Sequence, residues 1–125
     1  MSHMSFKAAI NKLKSMKTFD YDPSTISEEM VVNAFSDINE SGIWQYARRG
    51  TAGTSYGMKH VLEQWRKQTK PDANYYVSND AFCVAMVMAG FAPKKIGVSN
   101  PNVHFKNCKC TYQPVNNRLV SIYEG

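Results

Sequence analysis

Tyr56, Lys59, His60 and Lys67 place a stackable ring, a titratable imidazole and two cations within twelve residues. At roughly 100° per helical residue, Tyr56, Lys59, His60, Glu63 and Lys67 fall within about 100° of one another. Met58, Val61, Leu62 and Trp65 fall on the opposite side as an apolar stripe. The polar set is therefore expected to face outward. A ring, an imidazole and fixed cations suit contact with phosphodiesters and base edges. Arg48 and Arg49 precede this helix in a Gly-punctuated loop and could flank a phosphate at the helix start. Arg48, Arg49, Tyr56, Lys59, His60 and Lys67 are thus the candidate nucleic-acid-binding residues. The same positions also read as a solvated face, with Lys59–Glu63 and Glu63–Lys67 as i,i+4 pairs. That plainer reading leaves Tyr56 and His60 unexplained, since neither is a favoured choice on an exposed helix.

His60 also opens a catalytic possibility: metal-independent ribonuclease chemistry, with Arg48, Arg49 or Lys59 stabilising the charged intermediate. Only histidine titrates near neutral pH without a large perturbation. Cleavage requires a second proton-transfer group, and the sequence offers no clearly placed one. Binding is expected ahead of catalysis, with no catalytic residue assigned. His104, Cys108 and Cys110 form H-x3-C-x-C, one ligand short of a structural zinc site and outside the usual C-x2-4-C spacing. No metal and no cofactor are expected. Residues 49–55 contain two glycines and hydroxyls but lack the G-K-[ST] ending of a P-loop.

These residues need a scaffold. The 125 residues make one domain's worth of chain, and 43% apolar content supports a packed core. Met1-Ser2-His3-Met4 reads as an expression-tag remnant, so the domain is expected over 5–125 and His3 is given no role. A first helix is expected over Ser5 to Met16, with Phe6, Ala9, Ile10, Leu13 and Met16 on one stripe. Phe19 to Pro23 breaks it. A second helix opens at Thr25-x-x-Glu28, a capping-box pattern, and ends at Gly42. The third starts near Thr54 or Ser55 and closes at Lys70-Pro71-Asp72. The fourth runs from Ser78 or Asn79 to Ala89. It is apolar on every face from Ala81 onward and should be the buried centre. Tyr76 and Val77 would staple its start. Val98 to Val103 is turn-rich. Val103 to Tyr112 and Leu119 to Tyr123 look strand-like, separated by residues 113–117. The expected fold is mainly α (α+β): four to five helices around a buried central helix, 79–89, with a small C-terminal β-hairpin.

Charge is segregated along the chain. Residues 1–17 carry +4, residues 18–42 carry −6, residues 43–70 carry +5 and the rest +2. The basic segments suit a polyanion and the acidic one a cationic partner, although mutual neutralisation in the fold is equally open. Three cysteines without an export signal point to reduced thiols in the cytoplasm. No apolar run reaches 18 residues, so no membrane partner is expected. Oligomeric state is not legible.

Ser55-Tyr56-Gly57-Met58-Lys59-His60, Tyr76-Val77-Ser78-Asn79-Asp80-Ala81-Phe82, Ala89-Gly90-Phe91 and Asn102-Val103-His104-Phe105 together form a further pattern. It resembles one found in small phage and mobile-element proteins: Ser-Tyr-x-x-Lys-His, Tyr-Val-Ser-Asn-x-x-Phe, Gly-Phe or Gly-Tyr, and Asn-x-x-Phe. The resemblance covers about residues 48–107. It implies a phage or mobile-element setting in a bacterial host. It also implies a partner that is either nucleic acid or a host nucleic-acid-handling protein. In the second case the chain would be an inhibitor that binds an anti-phage or CRISPR-type defence complex, with the acidic segment 20–40 as its contact.

Overall fold

The computed structural model describes residues 3–17, 20–97 and 100–123. Met1, Ser2, Phe19, Val98 and Ser99, named above in the tag, the first break and the turn-rich stretch, lie outside them. Four helices form where the apolar periodicity places them: α1 (Phe6–Ser15), α2 (Glu28–Ser41), α3 (Ser55–Thr69) and α4 (Asn79–Met88). Each has a hydroxyl N-cap. Ser5, Ser27, Thr54 and Ser78 accept from the backbone N–H groups of Ala8, Met30, Gly57 and Ala81 respectively. The cap of α2 is therefore Ser27, two residues beyond the expected Thr25. The Thr25 hydroxyl instead donates to the Asp22 carbonyl in the preceding turn. Gly42 ends α2 at φ +64, the left-handed conformation that glycine adopts without a Cβ penalty.

The core gathers on α4, whose residues from Ala81 to Met88 are all buried. α1 brings Ala9, Ile10 and Leu13, α2 brings Val31, Ala34 and Ile38, and α3 brings Met58, Leu62 and Trp65. Trp44 meets Phe82 edge-to-face at 5.3 Å between centroids. Tyr76 is half exposed, so Val77 alone, fully buried, covers the start of α4. At the other end of the chain, His3 packs edge-on against Phe35 and the Met4 N–H donates to the Met88 carbonyl. His3 and Met4 are thus seated on the fold.

The β structure corrects the expected mainly α fold with one C-terminal hairpin. Among the described residues six strands make three two-stranded antiparallel sheets: β1 (Trp44–Tyr46) with β4 (Cys108–Cys110), β2 (Ala92–Lys95) with β3 (Val103–Lys106), and β5 (Tyr112–Val115) with β6 (Arg118–Ser121). The expected single strand over 103–112 is three. It is interrupted at Asn107, which sits at φ +53 and turns the chain between β3 and β4. Each piece then finds a different partner. The expected loop at 113–117 contracts to Asn116 and Asn117, at φ +53 and +64. Those are the two left-handed central residues of a type I′ hairpin turn. Pro93 and Pro114 are tolerated because every strand of a two-stranded ladder is an edge.

Candidate functional site

The residues of the Ser-Tyr-x-x-Lys-His and Tyr-Val-Ser-Asn segments converge at the start of α3, where Ser55, Lys59 and Val77 are buried. The fully buried Ser55 hydroxyl lies 2.9 Å from Asn79 Oδ1 and 3.3 Å from Asn102 Oδ1, one of which takes its proton. Its oxygen accepts from the Val103 N–H at 3.1 Å. The Asn79 amide donates to the Pro101 carbonyl. One hydroxyl therefore ties α3 to α4 and to the head of β3. A turn deeper, Lys59 Nζ bonds Glu63 Oε2 at 3.2 Å and the Val77 carbonyl at 3.1 Å. The Val77 N–H donates to the same Glu63 oxygen. Side-chain exposure is 8% for Lys59 and 7% for Glu63, so this ion pair is internal and clamps Val77 onto α3, while Arg66 Nη1 donates to the Tyr75 and Tyr76 carbonyls.

That burial redraws the expected binding face. Lys59 does not reach the surface, and its ammonium is already shared between a carboxylate and a carbonyl. Tyr56 and His60 are exposed, their rings in edge-to-face contact at 4.5 Å. Lys67 is exposed two turns along the helix, with its ammonium 4.3 Å from the Tyr75 ring centroid. The i,i+4 pair expected between Glu63 and Lys67 is replaced by this cation–π contact and by the inward turn of Glu63. Arg48 and Arg49 are exposed at the tip of the loop after β1.

His60 and Glu63 stand three residues apart on one helix face, and the structure joins them. His60 Nδ1 lies 2.9 Å from Glu63 Oε1. An ionised carboxylate only accepts, so in neutral His60 the proton sits on Nδ1 and the basic lone pair on Nε2. This is how a buried carboxylate orients a histidine. It supplies the orienting partner that cleavage chemistry needs; it does not supply the second proton-transfer group.

The loop from Ala47 to Thr54 runs along β3 and β4. The Ala47 N–H donates to the Asn107 carbonyl, and Cys108 N–H to the Gly50 carbonyl. Thr51 Oγ1 meets His104 Nδ1 at 3.4 Å, and Thr54 bridges to His104 across an isolated β contact. In the β2–β3 ladder Lys94 lies opposite His104, and Ala92 opposite Lys106. Alternate strand residues share a face, so Lys94, His104 and Lys106 stand on one side while Pro93, Val103 and Phe105 are buried on the other. The sequence reading missed this row because Lys94 and Lys95 followed a helix stop and were not recognised as a strand.

The carboxylates cluster elsewhere. Asp37, on the buried side of α2, accepts from Arg66 Nε at 2.7 Å and from Lys70 Nζ at 2.7 Å, and Lys70 also bonds Glu40. Bonding first to Asp37 and then to Glu40 holds the Lys70 ammonium above its ordinary pKa. A groove of about 530 Å³ lies over this cluster, between α2 and the 73–76 segment. Its charged side chains, Glu29, Asp37, Arg66 and Lys70, balance in sign. Two of the six acids of segment 20–40 are thus engaged within the fold, which leaves Asp20, Asp22, Glu28 and Glu29 exposed.

Burial pushes the Cys83 and Cys108 thiols up to about 12. Among the described residues no three His, Cys, Asp or Glu side chains converge as metal ligands, and no helix is long and apolar enough to cross a membrane. No family model, curated protein or solved structure matches the chain.

Proposed function

We propose that the protein binds nucleic acid, in the phage or mobile-element setting that the sequence resemblance implies. Its phosphate-contacting surface is built from the 47–54 loop and the outer face of β2–β3. One observation carries this reading. The segments 41–62 and 81–123 hold all six strands and the loop, and they contain no Asp or Glu. They do contain Arg48, Arg49, Lys94, Lys95, Lys106, Lys109 and Arg118. The loop's backbone bonds to 107 and 108 bring Arg48 and Arg49 beside the Lys94–His104–Lys106 row. Fixed cations with no opposing carboxylate among them attract a polyanion and raise its association rate. Phosphate contacts of this type supply affinity with little regard to sequence.

The relevant measurement is fluorescence anisotropy of labelled DNA and RNA oligonucleotides against salt. Two double variants, Arg48→Ala with Arg49→Ala and Lys94→Ala with Lys106→Ala, should each weaken every oligonucleotide. Each should also flatten the log–log salt slope by about 0.7–0.9 per phosphate contact removed. Wild-type protein that fails to bind any oligonucleotide at low salt removes this reading.

A further inference from the structure

Resting on the polyanion reading, we infer that the nucleic acid is single-stranded and that its bases stack on an aromatic platform formed by Tyr56 and Tyr76, with His60 at its edge. Tyr56 is 55% exposed and Tyr76 50%. They come from different elements, the first turn of α3 and the segment before α4. Yet Lys59 Nζ lies 5.6 Å from one ring centroid and 5.1 Å from the other. The buried Lys59–Glu63 pair therefore serves as a shared footing for both rings. Because Lys59 is internal, the ammonium approaches the rings from the protein side, which leaves area on the solvent side of each. His60, held by Glu63, braces Tyr56 edge-on. Two large, half-exposed rings seated on one ammonium are preorganised to receive flat partners, and little entropy is lost on binding.

The surroundings decide what kind of flat partner. Two residues before Tyr56, Thr54 is bridged to His104, which stands opposite Lys94. In the other direction Lys67, exposed, lies against Tyr75, itself 44% exposed and next to Tyr76. Lys67 is seven residues past His60, about 10 Å along the helix at 1.5 Å per residue. Cations thus bracket the rings on both sides. An anionic backbone that crosses from the β2–β3 row to Lys67 would carry its bases over the platform. Glu63, whose carboxylate anchors this footing, is countered by Lys59; Tyr76 also borders the groove that holds Glu29 and Asp37, whose charges are balanced there by Arg66 and Lys70. A duplex keeps its bases stacked inside, and their faces reach a surface tyrosine only after unstacking. A single strand offers them freely. Stacking tolerates any base, so this surface should distinguish strand state far more than sequence.

The test compares a single-stranded oligonucleotide with its own duplex, by anisotropy at matched ionic strength. Wild-type protein, Tyr56→Ala, Tyr76→Ala and Tyr56→Phe are measured. Tyr56→Ala and Tyr76→Ala should each weaken the single strand by roughly 5- to 150-fold, the range for loss of one base–aromatic stack. Duplex affinity and salt slope should stay within about twofold. Tyr56→Phe keeps the ring and should retain wild-type affinity. Both rings lie at the surface, and circular dichroism with thermal melting checks that each variant is folded. If duplex binds as tightly as single strand and the tyrosine variants bind like wild type, the platform inference is overturned while the polyanion reading stands. If no oligonucleotide binds even at low salt, both are overturned together.

Discussion

Removal of the Lys59 ammonium leaves Glu63 buried with its countercharge gone. Truncating one partner of a buried ion pair costs about 3–5 kcal/mol, most of it the penalty of the stranded charge. Lys59→Met should therefore lower stability by that order in urea unfolding, and the folded fraction should keep its affinity for duplex DNA. His60→Ala is expected to cost under about 1 kcal/mol. His60 is half exposed, so water can replace its bond to Glu63 Oε1. A Lys59→Met variant that is fully stable but loses duplex binding would place the ammonium at the surface. The helical-wheel argument put Lys59 outward because it falls away from the apolar stripe of Met58, Val61, Leu62 and Trp65. The i,i+4 partner was visible in the sequence. The segment that closes over both was not: Val77 supplies a carbonyl to one charge and an N–H to the other from 14 to 18 residues away. A long-range backbone contact of that kind has no periodic signature.

At the scale of elements, the helices were legible because their apolar spacing and hydroxyl caps are local. The strands were mostly not. β1 and β2 are three and four residues long, and β1 finds its partner more than 60 residues away. Pairing at that distance is set by what the helical core leaves uncovered. The C-terminal strand signal over 103–112 was correct in composition but silent about the break at Asn107, where one residue in the left-handed region sends β3 and β4 to different partners. Asparagine is among the few non-glycine residues that accept this conformation, and others cost roughly 1–2 kcal/mol there. Asn107→Ala should thus lower stability by about that amount, whereas Asn107→Gly should be close to neutral. Denaturant midpoints at constant slope measure both. Equal destabilisation by Ala and Gly would mean that the Asn107 side chain, rather than its backbone angle, holds the junction. The functional weight of this turn follows from its neighbours: the Asn107 carbonyl receives the Ala47 N–H, so the junction fixes the loop that carries Arg48 and Arg49.

For the whole molecule, net charge and charge placement make different predictions. The +5 total would favour polyanions whichever lysines supplied it. Placement on the strand-bearing side demands particular ones. Lys7 and Lys14 on α1 are exposed, as are Lys94 on β2 and Lys106 on β3. Either pair changed to alanine lowers the net charge equally. α1 carries three lysines, Lys7, Lys12 and Lys14, and its buried side, Ala9, Ile10 and Leu13, faces α4; among the described residues neither Lys7 nor Lys14 forms a salt bridge, and the charge of Lys14 is felt by Asp22. Lys7 and Lys14 are thus exposed cations without a salt bridge, which makes the comparison stringent. If the fold concentrates its field where the carboxylate-free segments meet, Lys94→Ala with Lys106→Ala should weaken oligonucleotide binding at least tenfold near physiological salt. Lys7→Ala with Lys14→Ala should change it less than threefold. Two lost phosphate contacts account for the first figure through the salt slope, and screening over a Debye length of about 8 Å accounts for the second. Equal losses from both pairs would show an attraction governed by net charge, with no built surface on the strand side. A larger loss from the α1 pair would move the interface to the first helix.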